Sequence, residues 1–266
     1  MSTATKIESR ATLTTERLSG ALGARVTGVD LDDLETQADE LRKAWAEHQV
    51  LVFPRINLTP EQQLALCSVF GEPEPHGVDG GDSRETHYAD DDQLITIIDS
   101  HRAGADVWHT DATFREQPPI GAMLQLTAKP EAGGDTMWLS TTRAYETLAP
   151  PLQKLCEDLE AVHGHPPMTG QATHPVVRSH PVTGAPILFV NRGWTHRLRR
   201  LPGPQSRALL DLLYNHIEQP EHAMRWSWEL GDAVLWDNRC TQHYAVYDYG
   251  DAPRGGNRVI LRDRAN

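Results

Sequence analysis

The chain has 266 residues, room for one large domain or two small ones with a sizeable core. Acidic residues outnumber basic ones by 37 to 25, a net charge of −12 at pH 7, so nucleic acid and anionic membrane surfaces meet a repulsive long-range field. Hydrophobic residues make up 39% of the chain, which excludes a disordered or fibrous polymer.

Residues 1–12 are polar and predict a flexible tail without the apolar core of a signal peptide. Residues 24–31 alternate as a strand, residues 34–49 carry amphipathic helical spacing, and the run VLVF (50–53) predicts a buried strand. Thr59-Pro60-Glu61-Gln62 combines capping-box spacing with proline at the first helical position, so a second helix follows and stops at Gly71. The sequon Asn57-Leu58-Thr59 is therefore read as part of a helix cap. Residues 72–92, rich in Gly, Pro, Asp and His, predict a long loop.

From Leu94 onward short strands dominate: LITIID, VWHTD, GAMLQLT, DTMWL, AVHGH, HPVVRSH, PILFV, AMRWSW, AVLWD, QHYAV and RVILR. Two helical stretches interrupt them, residues 140–159 and 204–219. Gly133-Gly134 reads as a hairpin turn with Thr136 starting the next strand. The pattern predicts a mainly β single domain with packing helices, a jelly roll, over residues 13–266. Cys67, Cys156 and Cys240 are odd in number and far apart, which points to a reducing cytoplasm. No apolar run approaches the roughly 18 residues of a membrane span.

His109-Thr110-Asp111 lies in a strand-like segment, where residues two apart project from one face, so both side chains could reach one metal. Imidazole plus carboxylate belongs to the two-histidine, one-carboxylate set that suits iron(II), although zinc also accepts it. With 13 histidines in the chain, about one such H-x-D match arises by chance. His216-x-Glu218 falls on a helical pattern and points its side chains about 200° apart, so it reads as an exposed helix end. His163-Gly164-His165, His174 and His180 read as strand ends beside prolines. The second histidine is better sought in WDNRCTQHYAVYDYGDAPRGGNRVILRDR, where His243 precedes Arg254, Arg258 and Arg262, because guanidinium forks suit carboxylates. The alternation of residues 258–262 is ambiguous, so only some of these arginines can face inward; Arg262 and Arg264 read as a solvated tail, Arg254 and Arg258 as inward-facing.

The strings WHTDATFREQPP, GGDTMWLS, HPVVRSHPVTG, LFVN, RWSWELGD and WDNRCTQHYAVYDY together resemble the taurine dioxygenase family of iron(II), 2-oxoglutarate-dependent dioxygenases, from about Leu13 to Arg262. The resemblance implies a double-stranded β-helix, with His109, Asp111 and His243 as iron ligands and Thr136 and Arg254 as the 2-oxoglutarate holders. It also implies a substrate pocket with His76, Trp194 and Arg258, the last facing the substrate's anionic group. Asp79 and Ala105 replace a tyrosine and an asparagine of the taurine pattern, and the segment 164–173 is shorter than the usual lid, so taurine is not the expected substrate.

The expected activity is hydroxylation of a small organic anion of the sulfonate or sulfate-ester type, with O2 and 2-oxoglutarate consumed and succinate and CO2 formed. A carboxylate-bearing metabolite, hydroxylated or desaturated, is the alternative substrate. A silent anion-binding jelly roll is the alternative outside enzymology. The partner is a small molecule, and a homo-oligomer is expected.

Overall fold

The computed structural model describes residues 12–75, 87–99, 105–166 and 169–264. Helix Leu34–His48 buries one stripe, Ala38, Leu41, Ala44 and Trp45, at helical spacing. Helix Pro60–Phe70 starts on the expected capping box, Thr59 Oγ1 accepting from Gln62 N while the Gln62 side chain accepts from Thr59 N. It stops at Gly71, but not by a left-handed glycine turn: Gly71 is extended (φ −171°). Glycine stands there because an added Cβ would meet the Arg262 carbonyl at 2.8 Å and Ile120 Cδ1 at 2.9 Å.

Both helices cover one face of the main sheet. Among the described residues that sheet has nine strands, with Val50–Phe53, Ala233–Asp237, Gly121–Ala128, Gly255–Arg262 and Ile95–Asp99 adjacent in that order. The alternation in each strand divides two cores. Leu51, Phe53, Met123, Leu235, Val259 and Leu261 pack with Trp45 and Leu66 under the helices. Val50, Val52, Ala122, Leu124, Val234, Trp236 and Ile260 pack on the other face with Trp138 and Trp228. VLVF is a continuous apolar run because both its faces are covered. Since Val259 and Leu261 face the helices, Arg258 and Ile260 point to the opposite, inner face.

A smaller sheet, Ala223–Trp226, Thr136–Ser140 and Thr241–Ala245, supplies Trp138 and Met224 to this inner core. A third core lies under helices Thr141–Thr147, Pro150–Glu157 and Gly203–Ile217. The chain is thus mostly β with five α-helices among the described residues, in one domain.

Several expectations change. Residues 107–111 are not a strand: only His109 forms a bridge, with His243. Gly133-Gly134 does not turn a hairpin, because Gly121–Ala128 lies in the main sheet while Thr136–Ser140 pairs in the smaller one; the two glycines, both at positive φ, carry the chain between sheets. The 140–159 stretch is two helices, since Pro150 and Pro151 deny the first helix its continuing hydrogen bonds and open the second. The 72–92 segment carries strands Glu72–Glu74 and His87–Tyr88 at its ends. Strands Thr14–Arg17 and Thr195–Leu198 were too polar to be recognised by alternation. The 1–12 tail lies outside the described residues, apart from Thr12. No helix among the described residues is long and apolar enough to cross a membrane.

Candidate metal and anion site

His109 and His243 face each other across an antiparallel bridge: His109 N donates to His243 O (3.2 Å) and His243 N to His109 O (2.8 Å), with ring centroids 4.1 Å apart. Paired residues in such a bridge project to the same side. Asp111 Oδ1 completes the group at 3.8 Å from His109 Nε2 and 3.7 Å from His243 Nε2. One ligand atom from each of the three residues lies within 4.8 Å of the others. His109 Nδ1 donates to the Val107 carbonyl (2.8 Å), which leaves the Nε2 lone pair for a ligand bond.

The electrostatics suit a cation. Burial lowers the pKa of both imidazoles, well below the ordinary value for His243, so they stand neutral. Burial alone would raise the Asp111 carboxyl, but the Arg258 guanidinium outweighs it and holds it below the usual range. Two neutral imidazoles and a carboxylate are the donor set that a divalent transition metal takes, and iron(II) fits these residues.

Thr136 and Arg254 meet close by. Thr136 lies opposite Ala245 as Trp138 lies opposite His243, so register puts Thr136 and His243 on one face of the smaller sheet. Arg254 Nη2 donates to Thr136 Oγ1 (2.9 Å) and Arg254 Nε to the Gly134 carbonyl (2.7 Å). Trp228 Nε1 also donates to Thr136 Oγ1 (3.0 Å). With both acceptor positions filled, the Thr136 hydroxyl has its proton to give. Arg254 is buried, which lowers its pKa, and no carboxylate among the described residues pairs with it. A buried cation beside a spare hydroxyl donor is an anion site.

Arg258 does face inward, its Cζ 5.6 Å from the centroid of the Trp236 ring and its Nη2 2.5 Å from Asp111 Oδ2. The contact is an ion pair without aligned hydrogen bonds: Asp111 Oδ2 and Arg258 Nε and Nη2 are buried and unpartnered in that sense. Trp194 packs edge-on against Phe114 at 4.9 Å, with its Nε1 buried and unpaired. The preceding Gly193 lies so close to His109 that an added Cβ would come within 2.8 Å of the His109 Cβ. His76 and Asp79 lie outside the described residues. Of the 164–173 segment, Ala172 and Thr173 lie in strand Ala172–Pro175, which pairs antiparallel with Glu160–His163, while residues 167 and 168 lie outside the described residues.

Arg262 and Arg264 are surface residues, on Glu72 and on the Ser68 carbonyl. His216 is half-buried rather than exposed, its Nε2 2.7 Å from the Ala144 carbonyl, while Glu218 pairs with Arg192. A second cluster, His180, Asp237 and Cys240, also has ligand-like atoms in reach. His180 Nδ1 accepts from Val182 N and Thr183 N, so Nε2 carries the proton that bonds Asp237 (3.0 Å). Arg239 forks onto both Asp237 oxygens, and burial raises the Cys240 thiol well above its ordinary pKa. The His180 and Asp237 donor atoms are thus engaged with each other and with Arg239 rather than presented to a metal. Trp228 and Asn238 escaped the sequence reading, although RWSWELGD and WDNR both appear in it; their partners are far away in the chain.

Residues 14–262 match the family model of the taurine catabolism dioxygenase TauD, TfdA family. The chain belongs to this dioxygenase family. It is 34% identical to an alpha-ketoglutarate-dependent sulfate ester dioxygenase of Pseudomonas putida, across 92% of this chain and 87% of that one. An alkylsulfatase of Acinetobacter baylyi is also 34% identical, across 92% and 83%. A taurine dioxygenase from Burkholderia xenovorans superposes with a TM-score of 0.85 at 32% identity, covering 95% of this chain and 91% of that one. Iron(II), 2-oxoglutarate (alpha-ketoglutarate) and O2 are accordingly the cofactor and cosubstrates.

Proposed function

We propose that the protein hydroxylates a small organic anion of the sulfate-ester or sulfonate type, converting O2 and 2-oxoglutarate to succinate and CO2, with one oxygen atom entering the substrate and the other succinate. The observation that carries this is the pairing of two neutral imidazoles and one carboxylate with two inward-facing arginines, one of them free of any carboxylate among the described residues. The two named relatives, a sulfate ester dioxygenase and an alkylsulfatase, support the substrate class.

In this reading His109, Asp111 and His243 hold the iron, which supplies O2 activation and the oxidising power for C–H hydroxylation. Arg254 and the Thr136 hydroxyl fix the distal carboxylate of 2-oxoglutarate, positioning it without paying reorganisation at the moment of reaction. Arg258 draws the substrate's anionic group toward Asp111, Trp194 forms a wall, and His76 belongs to the same pocket. Hydroxylation at the carbon bearing a sulfate ester gives a product that collapses to aldehyde and sulfate. A carboxylate-bearing substrate uses the same guanidinium fork.

The two sheets facing each other across the tryptophan-rich core are read as a double-stranded β-helix beginning at residue 13. Three free, buried and mutually distant cysteines suit a cytoplasmic protein, and self-association with a small molecule as the main partner completes the proposal.

The test is a panel of alkyl sulfates, sulfonates and carboxylates screened for substrate-stimulated succinate formation. Stimulation by alkyl sulfates above the others is expected. Stimulation by a neutral compound and by no anion removes the role given to Arg258, and stimulation by carboxylates alone selects the second substrate class.

A further inference from the structure

We propose that Asn238 is a positioning residue that holds Asp111 in place for the metal. The inference rests on the reading of His109, Asp111 and His243 as a metal site.

The β-ladder ends at His109, so regular pairing cannot fix Asp111. Immediately after Asp111, Ala112 has a positive φ of 48°, and the chain turns away. A carboxylate on such a turn would sample many positions unless its backbone were tied elsewhere. Asn238 supplies the tie. Its Oδ1 accepts from Asp111 N (2.8 Å), and its Nδ2 donates to Asp111 O (3.1 Å) and to Pro119 O (2.9 Å). The side-chain amide thus stands in for the missing neighbouring strand, bonding both the N–H and the C=O of one residue, with both its own hydrogens used.

Asn238 is itself rigid. It is 1% exposed, and its N–H donates to Ile120 O at 2.9 Å. On one side Asp237 is held by His180 and by the Arg239 fork. On the other, Thr241 Oγ1 bonds the Asp237 carbonyl (2.7 Å), and Thr110 Oγ1 bonds the Thr241 carbonyl (2.9 Å). The turn 237–241 therefore grips the segment carrying His109 and Asp111 and runs directly into the strand carrying His243. All three side chains are referred to one fixed turn. Oδ1 of Asp111 is nearly equidistant from the two Nε2 atoms, at 3.8 and 3.7 Å, as such a clamp requires.

The experiment uses the full metal-free chain, titrated anaerobically with Co(II) and followed by the visible ligand-field bands, for wild type, Asn238→Ala and the isosteric Asn238→Asp. Near-UV circular dichroism and thermal unfolding are recorded without metal. Both variants are expected to fold and to bind Co(II) about 10–100-fold more weakly, with altered band intensities, as outer-shell losses do. Variants that lower only Tm, with wild-type Co(II) affinity and spectrum, overturn the proposal. Failure of both variants to fold also overturns it, assigning Asn238 to stability alone. Absence of Co(II) binding by the wild type instead removes the metal site itself.

Discussion

Arg258 Nη2 lies 2.5 Å from Asp111 Oδ2, so the arginine nearest the proposed substrate space is already in contact with the carboxylate that faces the two histidines. In the proposed reading that contact joins substrate charge to a metal ligand. An anion arriving at Arg258 shares the guanidinium with Asp111, and five N–H donors allow it. Arg258→Gln is expected to raise KM for an anionic substrate about 10–100-fold, the loss of one charge-assisted hydrogen bond or ion pair. KM for 2-oxoglutarate is expected to stay within about threefold, inside the ordinary context-dependence of such contacts. Steady-state kinetics with each substrate varied in turn decides it; equal changes in both KM values contradict the assignment.

Arg254 should show the opposite split. Among the described residues its hydrogen-bond partners are the Gly134 carbonyl and the Thr136 hydroxyl, both uncharged, so in the proposed reading the 2-oxoglutarate carboxylate compensates its charge. Arg254→Gln is expected to weaken 2-oxoglutarate binding about 10–100-fold. Arg254→Lys should recover little of it, because an ammonium cannot bond the carbonyl and hydroxyl while presenting a fork. Calorimetric titration with 2-oxoglutarate under anaerobic metal-loaded conditions measures both; near-wild-type binding by the lysine variant argues against a forked contact.

The crossing at Gly133-Gly134 predicts a stability difference between two glycines with similar φ. Gly133 (φ +77°) would bring a Cβ within 2.4 Å of Asp248 Oδ1, whereas Gly184 (φ +71°) has open space. Gly184→Ala should cost about 1–2 kcal/mol from backbone conformation alone. Gly133→Ala should cost at least about 1 kcal/mol more, because Asp248 must also move and release Gly134 N, which it now accepts at 2.8 Å. Urea unfolding of both variants compares them; equal losses mean the Asp248 contact yields freely.

Acid sensitivity should trace in part to His163. It is fully buried against Thr113, His174 and Phe189, and burial pushes its pKa from 6.5 down to about 3. The folded chain thus binds the proton less readily than the unfolded one. Its contribution is intact above pH 6.5 and is lost as pH falls from 6.5 toward 3, at up to about 1.4 kcal/mol per pH unit. His163→Phe should flatten the pH dependence of urea-unfolding free energy between pH 6.5 and 5. An unchanged slope assigns the sensitivity to other groups.

How far the site could be read in advance depends on how local its signals are. His109, Asp111, His243, Thr136 and Arg254 stand in short strings whose residue types carry metal and carboxylate chemistry, and the geometry brings them together. The strand reading of 107–111 was right about the shared direction of His109 and Asp111 toward one point and wrong about its cause. A single bridge orients His109, and an asparagine 127 residues away orients Asp111. Trp228, which fills an acceptor position of Thr136 from 92 residues away, is equally invisible to spacing.

The sequence by itself determined the charge balance, the capping box that opens helix Pro60–Phe70, the buried run VLVF and the predominance of short strands, because these follow from residue type and periodicity within a few neighbours. It favoured an inward Arg258 without fixing it, since alternation puts the apolar Ile260 on the same face as both Arg258 and Arg262. Only the tertiary structure decided that, by packing Val259 and Leu261 under the helices and so turning Arg258 toward Trp236 and Asp111. It alone also decided that Gly133-Gly134 crosses between sheets, since strand partners are chosen by burial of whole faces and no turn dipeptide specifies them.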